Sequence, residues 1–341
     1  MKAVSGALVA VLALAGSVAD PASSEEFYSK KTITLIAGGN PGGGYDLYAR
    51  SLARHYPKHI PGEPTIIVQN MPGAGSVNLA NHLYNRAARD GTVIGMIFPG
   101  VVVGPLLDDK MEARFKPNEF AYLGSANVST RVCATFETSK TRTFDDALVR
   151  ETLIGGDAPG GSLFDYAHFL RKEVGANFRI VRGYKGSTDI TLAMERGEVE
   201  GICGLDWSSL RGQKPDWVRD NRMHVLLQVG LDAHPGLSAQ GVPTLWRHVK
   251  DDEKRRVLEL IVGQQVFGRP FMLPPGVAAE RTEMLRKAFD ATMADKDFIA
   301  DAEKMGLEIT PATGKRVQDL VASMYASPEA IVKRAKAALT P

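Results

Sequence analysis

The stretch Ile33–His55, ITLIAGGNPGGGYDLYARSLARH, decides how the chain is read. An apolar run, ITLIA, has the character of a buried strand. It meets Gly38, Gly39, Pro41, Gly42, Gly43 and Gly44, a turn that lets backbone come close to a ligand. Tyr45, Tyr48, Ala49, Leu52, Ala53 and Tyr56 then recur at three and four residues, the spacing of an amphipathic helix. The free N–H groups and dipole at the start of such a helix favour an anion. A P-loop is excluded, because no Lys-Ser or Lys-Thr follows the glycines. A dinucleotide fingerprint fits only loosely, because the spacing is not GxGxxG.

Two further segments repeat this strand–glycine–helix grammar. VQNMPGAGSVNLA passes through Ala74, Gly75 and Ser76 before a helix, and IGGDAPGGSLFDYAHF passes through Gly160, Gly161 and Ser162. Loops of this kind converge at the carboxyl ends of strands, where open α/β sheets bind ligands. Backbone N–H groups and serine hydroxyls suit a carboxylate.

Outward from these loops the chain alternates. TIIVQN, TVIGMIF and FAYLGSA read as further strands with helices between them, so the fold class is α/β. The pattern restarts after Ser125 with VCATF, TLIGGD, FRIVRGY, VEGICGL and MHVLLQVG as strands. After VFGRPFMLPPG the chain is mostly helical, and this last third is expected to return and complete the first block. The expected organisation is lobe 1 from 27–124 and 264–341, lobe 2 from 125–263, and a ligand cleft between them that closes about hinges near Ala126 and Gly263.

With 341 residues, 44% hydrophobic and 23% charged, two such cores are affordable, and a formal net charge of +2 gives no argument for nucleic acid. Residues 1–19 read as a cleavable signal peptide: Lys2, then 13 small or apolar residues from Ala3 to Ala15, then Ser17 to Ala19 before Asp20. That run is shorter than the roughly 18–20 residues a membrane-spanning helix needs. Export to the periplasm is therefore expected. Cys133 and Cys203 lie in strand-like runs; one disulfide or a pair of buried thiols are both open. No CxxC spacing suggests a metal, and no cofactor is called for.

Catalytic signatures are weak. There is no GxSxG elbow, and the seven histidines are scattered. Asp206, just past the strand VEGICGL, is either a cleft residue or the cap of the next helix. The chain is expected not to be an enzyme. An exported hydrolase or lyase using Asp206 and a histidine is the alternative, and a ligand-sensing accessory to a receptor kinase is another.

GGNPGGGYDLYARSLARHYPKHIPGEPTIIVQNMPGAGSVNLANHLYNRAARDGTVIG resembles the N-terminal signature of the substrate-binding proteins of tripartite tricarboxylate transporters, the Bug or TctC-like family. The resemblance continues through GYKGSTDITLAMERGEVEGICG and GRPFMLPPGVAAERTEMLRKAFDATMADKDF, nearly the whole mature chain. It implies a type II periplasmic binding protein whose two α/β lobes close on a small organic acid, which membrane permease subunits then receive. It implies a monomer with no nucleic-acid partner. Carried over, the cleft residues are Gly43, Gly44, Tyr45 and Asp46; Ala74, Gly75 and Ser76; Gly161 and Ser162; Tyr184 and Asp206. It also implies that carboxylates are held by backbone amides and ordered water, in keeping with no obvious arginine clamp. Tyr45 stands where many members have serine or threonine, and Phe164 and Asp165 where small polar residues are frequent.

Overall fold

The computed structural model describes residues 27–159 and 161–340, so the expected signal peptide and Gly160 of the third loop lie outside the described residues. Eleven strands form two sheets among them. In chain order they are β1 Thr32–Ala37, β2 Thr65–Asn70, β3 Val93–Met96, β4 Ala121–Ser125, β5 Arg131–Phe136, β6 Thr152–Gly156, β7 Phe178–Arg182, β8 Gly201–Asp206, β9 Met223–Val229, β10 Pro270–Leu273 and β11 Ala312–Thr313. The first sheet runs β11-β4-β10-β3-β1-β2 and the second β7-β6-β8-β5-β9.

Crossover helices explain the parallel pairs β1–β2 and β1–β3. Helix Gly44–His55 links β1 to β2 and buries Tyr48, Ala49 and Leu52, the stripe its periodicity marks. Asp46 sits in its first turn and Arg54 and His55 in its last, both favourable to the helix dipole. β10 enters antiparallel between β3 and β4, so the C-terminal third does return to the first sheet. Its apolar run is buried throughout, as a central strand requires. In the second sheet β6 is parallel to β7 and β8, while β5 is antiparallel to β8 and β9. Cys133 and Cys203 are paired in register on β5 and β8 and form a disulfide within the sheet.

Two segments join the sheets and are hydrogen-bonded to each other. Ala126 N–H donates to the Arg269 carbonyl at 3.0 Å, Gly268 N–H to the Asn127 carbonyl at 3.1 Å, and Ser129 N–H to the Gln265 carbonyl at 2.9 Å. The segments approach so closely at Gly268 that a Cβ there would lie 2.7 Å from Ser129 Oγ and 3.0 Å from the Asn127 carbonyl. Near Ala126 and Gly263, where a hinge is expected, the chain forms a paired crossing of 126–129 with 265–269. Thr310 also joins the crossing as an isolated bridge, its backbone bonded to Ala126 and Val128.

The last helix, Glu329–Leu339, does not follow the expected assignment of 264–341 to lobe 1. It packs on helices Asp252–Val262 and Ser162–Phe169, and also on Pro99–Leu107 of the first half. Its apolar stripe, Ile331, Ala335 and Ala338, is shared between the halves because the largest core cluster runs continuously from one to the other. Among the described residues no helix is long and apolar enough to cross a membrane.

Candidate functional site

A cleft of about 300 Å³ lies between the sheets. Its walls are the loops after β1 and β3 (Tyr45, Phe98, Gly100), the loop and helix after β6 (Ser162, Asp165, Tyr166) and both crossing segments (Ser129, Arg131, Gln265, Arg269). The carboxyl ends of β1, β3 and β6 therefore face one space, as open α/β sheets require of a ligand site.

Two arginines stand out. Arg131 is the first residue of β5 and Arg269 immediately precedes β10, so each sheet contributes one. Arg131 Nη1 donates to the Gly204 carbonyl at 2.9 Å and, weakly, to Ser162 Oγ at 3.4 Å. Its guanidinium lies 5.9 Å from the Tyr166 ring centroid. Arg269 Nη1 donates to the Gly268 carbonyl at 2.8 Å and to Tyr45 Oη at 3.3 Å. Its guanidinium lies 4.5 Å from the Tyr45 centroid and 5.1 Å from that of Tyr48, within cation–π range of both. Nε of both side chains is buried and lacks a hydrogen-bond partner. Neither arginine forms an ion pair among the described residues. No obvious arginine clamp was expected from the sequence; the structure brings two arginines to the cleft wall.

Local sequence explains how Arg131 is held. Between Val132/Leu205 and Cys133/Cys203 the register slips, leaving Gly204 as the extra residue of a β-bulge at φ +80°. The bulge turns the Gly204 carbonyl to Arg131. It also brings β8 against helix Ser162–Phe169, where a Cβ on Gly204 would lie 2.2 Å from the Ser162 carbonyl oxygen. The same helix begins with Asp157 Oδ1 accepting from Phe164 N–H at 2.8 Å.

The expected residues divide. Tyr45 lines the cleft, but its phenol donates to the Gly268 carbonyl at 3.0 Å and its ring packs 4.2 Å from Phe98. It backs Arg269, and burial pushes its phenol pKa up. Gly44 is beside Arg269, whose Nη2 is 3.9 Å from where a Cβ on Gly44 would sit. Gly43 N–H is spent on the Asn40 carbonyl at 3.1 Å. Asp46 is turned inward: its carboxylate accepts from Gly42 N–H (2.8 Å), Arg50 Nε (2.9 Å) and Asn70 Nδ2 (3.0 Å). Burial opposes its ionisation, yet these donors still hold it below the usual carboxylate range. Asp46 ties the glycine loop to β2; its side chain does not reach the cleft.

The second loop is corrected more strongly. Gly73, Ala74, Gly75 and Ser76 all have positive φ, and the turn buries Ser76 Oγ on the Gly38 carbonyl at 3.0 Å. Ala74 lines a different and larger groove of about 980 Å³, over helix Val77–Asn85 and facing Asp108, Lys110, Glu112 and Arg114. In the third loop Ser162 does line the cleft, and Gly161 caps its helix. Tyr184 is half-buried among the apolar side chains of the second half and is not a cleft-lining residue. Asp206 is the helix cap: Oδ1 accepts from Ser208 N–H at 3.0 Å and Ser209 N–H at 3.3 Å. The sequence signal for the arginines was their position at the two block boundaries, in STRVCATF and FGRPFM.

No protein-family model matches the sequence, and no curated protein does. Solved structures do. A TctC solute-binding protein from Polaromonas superposes with a TM-score of 0.70 at 16% identity, covering 90% of this chain and 99% of that one. The periplasmic binding protein BugD gives 0.56 at 19% identity, covering 90% and 98%. MatC from Rhodopseudomonas palustris, solved with bound malate, gives 0.54 at 14% identity, covering 91% and 99%. The fold is that of a periplasmic solute-binding protein. It is the fold of the TctC-like and Bug proteins whose motifs the sequence resembles. In a solute-binding fold a cleft between two sheets, with a cation from each, is a place for an anion.

Proposed function

We propose that the protein is an exported receptor of the tripartite tricarboxylate type that captures a small organic acid in this cleft and delivers it to membrane permease subunits. The observation that carries the reading is the pair of cleft arginines, whose Nε atoms are buried without a hydrogen-bond partner among the described residues. A buried guanidinium N–H with no acceptor costs about 1–3 kcal/mol, a cost that a bound carboxylate removes. Arginine presents a planar fork that matches a carboxylate. The malate in MatC and the resemblance to this transporter family support the same ligand class. The expected signal peptide supports a periplasmic location, and cleft closure about the paired crossing creates the form that the permease recognises. Closure requires only that ligand binds the closed state better than the open one. Native mass spectrometry of freshly purified protein, followed by calorimetric titration with small carboxylates, tests this. A bound acid or a saturable heat supports it; neither, across mono-, di- and tricarboxylates, refutes it.

The enzyme alternative places a base at Asp206. That carboxylate is occupied in capping helix Trp207–Gln213, and among the described residues no histidine lines the cleft. The binding reading is the better supported.

A further inference from the structure

Resting on the carboxylate reading above, we infer that Gln265 is a positioning residue of the cleft. Its side-chain amide fixes Arg131 from two sides, at its backbone and at the ring beside its guanidinium, and ties both to the second crossing segment. Gln265 begins that segment, is 4% exposed and lines the cleft. Its Oε1 accepts from Arg131 N–H at 3.0 Å, and its Nε2 donates to Tyr166 Oη at 2.9 Å. Its main-chain carbonyl accepts from Ser129 N–H at 2.9 Å. One residue of the second crossing therefore holds the end of the first crossing, the start of β5 and helix Ser162–Phe169.

The direction of this chain of hydrogen bonds is fixed. A backbone N–H can only donate, so Arg131 turns the amide oxygen toward itself and the amide nitrogen toward Tyr166. Tyr166 is buried, and its ring centroid lies 5.9 Å from the Arg131 guanidinium. The guanidinium itself is anchored through Nη1 on the Gly204 carbonyl. Gln265 adds what that anchor lacks, a fixed origin for the side chain and a fixed ring beside its head. An arginine ordered in advance loses less rotamer freedom when a ligand arrives, so binding is tighter.

The residue type matters. Both bonds need a side chain that accepts at one atom and donates at another, which glutamine does without charge. Among the described residues, the charged side chains lining the cleft are Arg131, Arg269 and Asp165. A glutamate at 265 would still accept from Arg131 N–H, but it would add a second carboxylate to that set and compete with a bound acid for the guanidinium. An apolar side chain would leave the Arg131 N–H and the Tyr166 hydroxyl without this partner. Arg269 is anchored elsewhere, on the Gly268 carbonyl and Tyr45 Oη, and serves as an internal control.

The test compares wild type with Gln265→Met, a side chain of similar size without the amide, in two ways. The first needs no ligand. In isotope-labelled protein the Nε–H resonances of Arg131 and Arg269 are assigned by their disappearance in Arg131→Gln and Arg269→Gln, and their exchange with water is measured. Gln265→Met is expected to speed exchange at Arg131 about tenfold and to leave Arg269 within about twofold. Equal acceleration at both, the mark of a looser fold, overturns the inference, and so does an unchanged Arg131. The second is a binding cycle by calorimetry, whose probe is the tightest binder among acetate, benzoate, malate, adipate and citrate. Gln265→Met is expected to weaken binding about tenfold in the wild-type background and less than about twofold in Arg131→Gln, where nothing is left to position. Equal losses in both backgrounds overturn the inference while the carboxylate reading stands. Should Gln265→Met unfold, Tyr166→Phe breaks the same chain at its far end and keeps the ring, and the same pattern is expected from it at smaller size. If none of the five acids binds the wild type, the carboxylate reading falls, and the exchange measurement decides the role of Gln265 alone.

Discussion

Replacing Gly204 with alanine tests the link between the bulge and the site. The residue has φ +80°, where an L side chain costs about 1–2 kcal/mol. Its new Cβ would meet the Ser162 carbonyl oxygen at 2.2 Å and Tyr166 Cβ at 2.8 Å. The first is backbone and cannot swing away, so helix Ser162–Phe169 must lift from β8. Overpacking of this kind costs about 1–3 kcal/mol, which brings the expected loss to about 2–5 kcal/mol. The displaced groups are the Gly204 carbonyl and Ser162, the two that anchor Arg131. Ligand affinity should therefore fall together with stability. Gly212→Ala is the control, in an exposed helical position where a Cβ meets nothing within 4 Å. It should be neutral or stabilise by up to about 1 kcal/mol. Guanidinium unfolding of the three proteins reads both effects. If Gly204→Ala unfolds within about 0.5 kcal/mol of wild type and binds normally, the bulge does not position the site as argued.

Tyr45→Phe removes the hydroxyl bonded to the Gly268 carbonyl and to Arg269 but keeps the stacking ring, so a loss of about 1 kcal/mol in unfolding and a several-fold drop in carboxylate affinity are expected. An unchanged affinity in calorimetry would show that the phenol does not position Arg269. The disulfide closes a loop of 70 residues, so Cys133→Ala/Cys203→Ala should lose about 4 kcal/mol on the chain-entropy account, and denatured, unreduced wild type should show no reactive thiol. Two titratable thiols would exclude the pairing. Lys58 and His59 hold the Asp295 carboxylate well below its usual range. The unfolded chain therefore takes up this proton first as pH falls below about 3.8, and the pair's contribution, complete above that value, is lost on acidification. Asp295→Asn should flatten the decline of stability between about pH 4 and pH 2; an unaltered slope in acid denaturation would sink this assignment.

Local pattern carried most of the architecture. The strand–glycine–helix units and the restart after Ser125 are encoded in short-range periodicity, and β1, β5 and β10 fall where apolar runs place them. Asp206 shows the limit of such reading. A polar residue between a strand and a helix fits a cap and a ligand contact equally, and only the hydrogen bonds to Ser208 and Ser209 decide. Ser76 is similar: its loop reads as a cleft wall, but a left-handed turn drives its hydroxyl onto Gly38.

By itself the sequence determined that this is an α/β chain in two blocks, with glycine loops at strand ends and motifs that resemble those of solute-binding proteins. Those properties are local, set by residue spacing and by what glycine permits. Which side chains line the cleft was decided by the tertiary structure. Arg131 and Arg269 look ordinary at the edges of apolar runs. They become neighbours of one cleft because a bulge at Gly204 and a close crossing at Gly268 bring distant segments together. Their unmet hydrogen bonds exist only in that folded arrangement, since water satisfies an arginine in the extended chain.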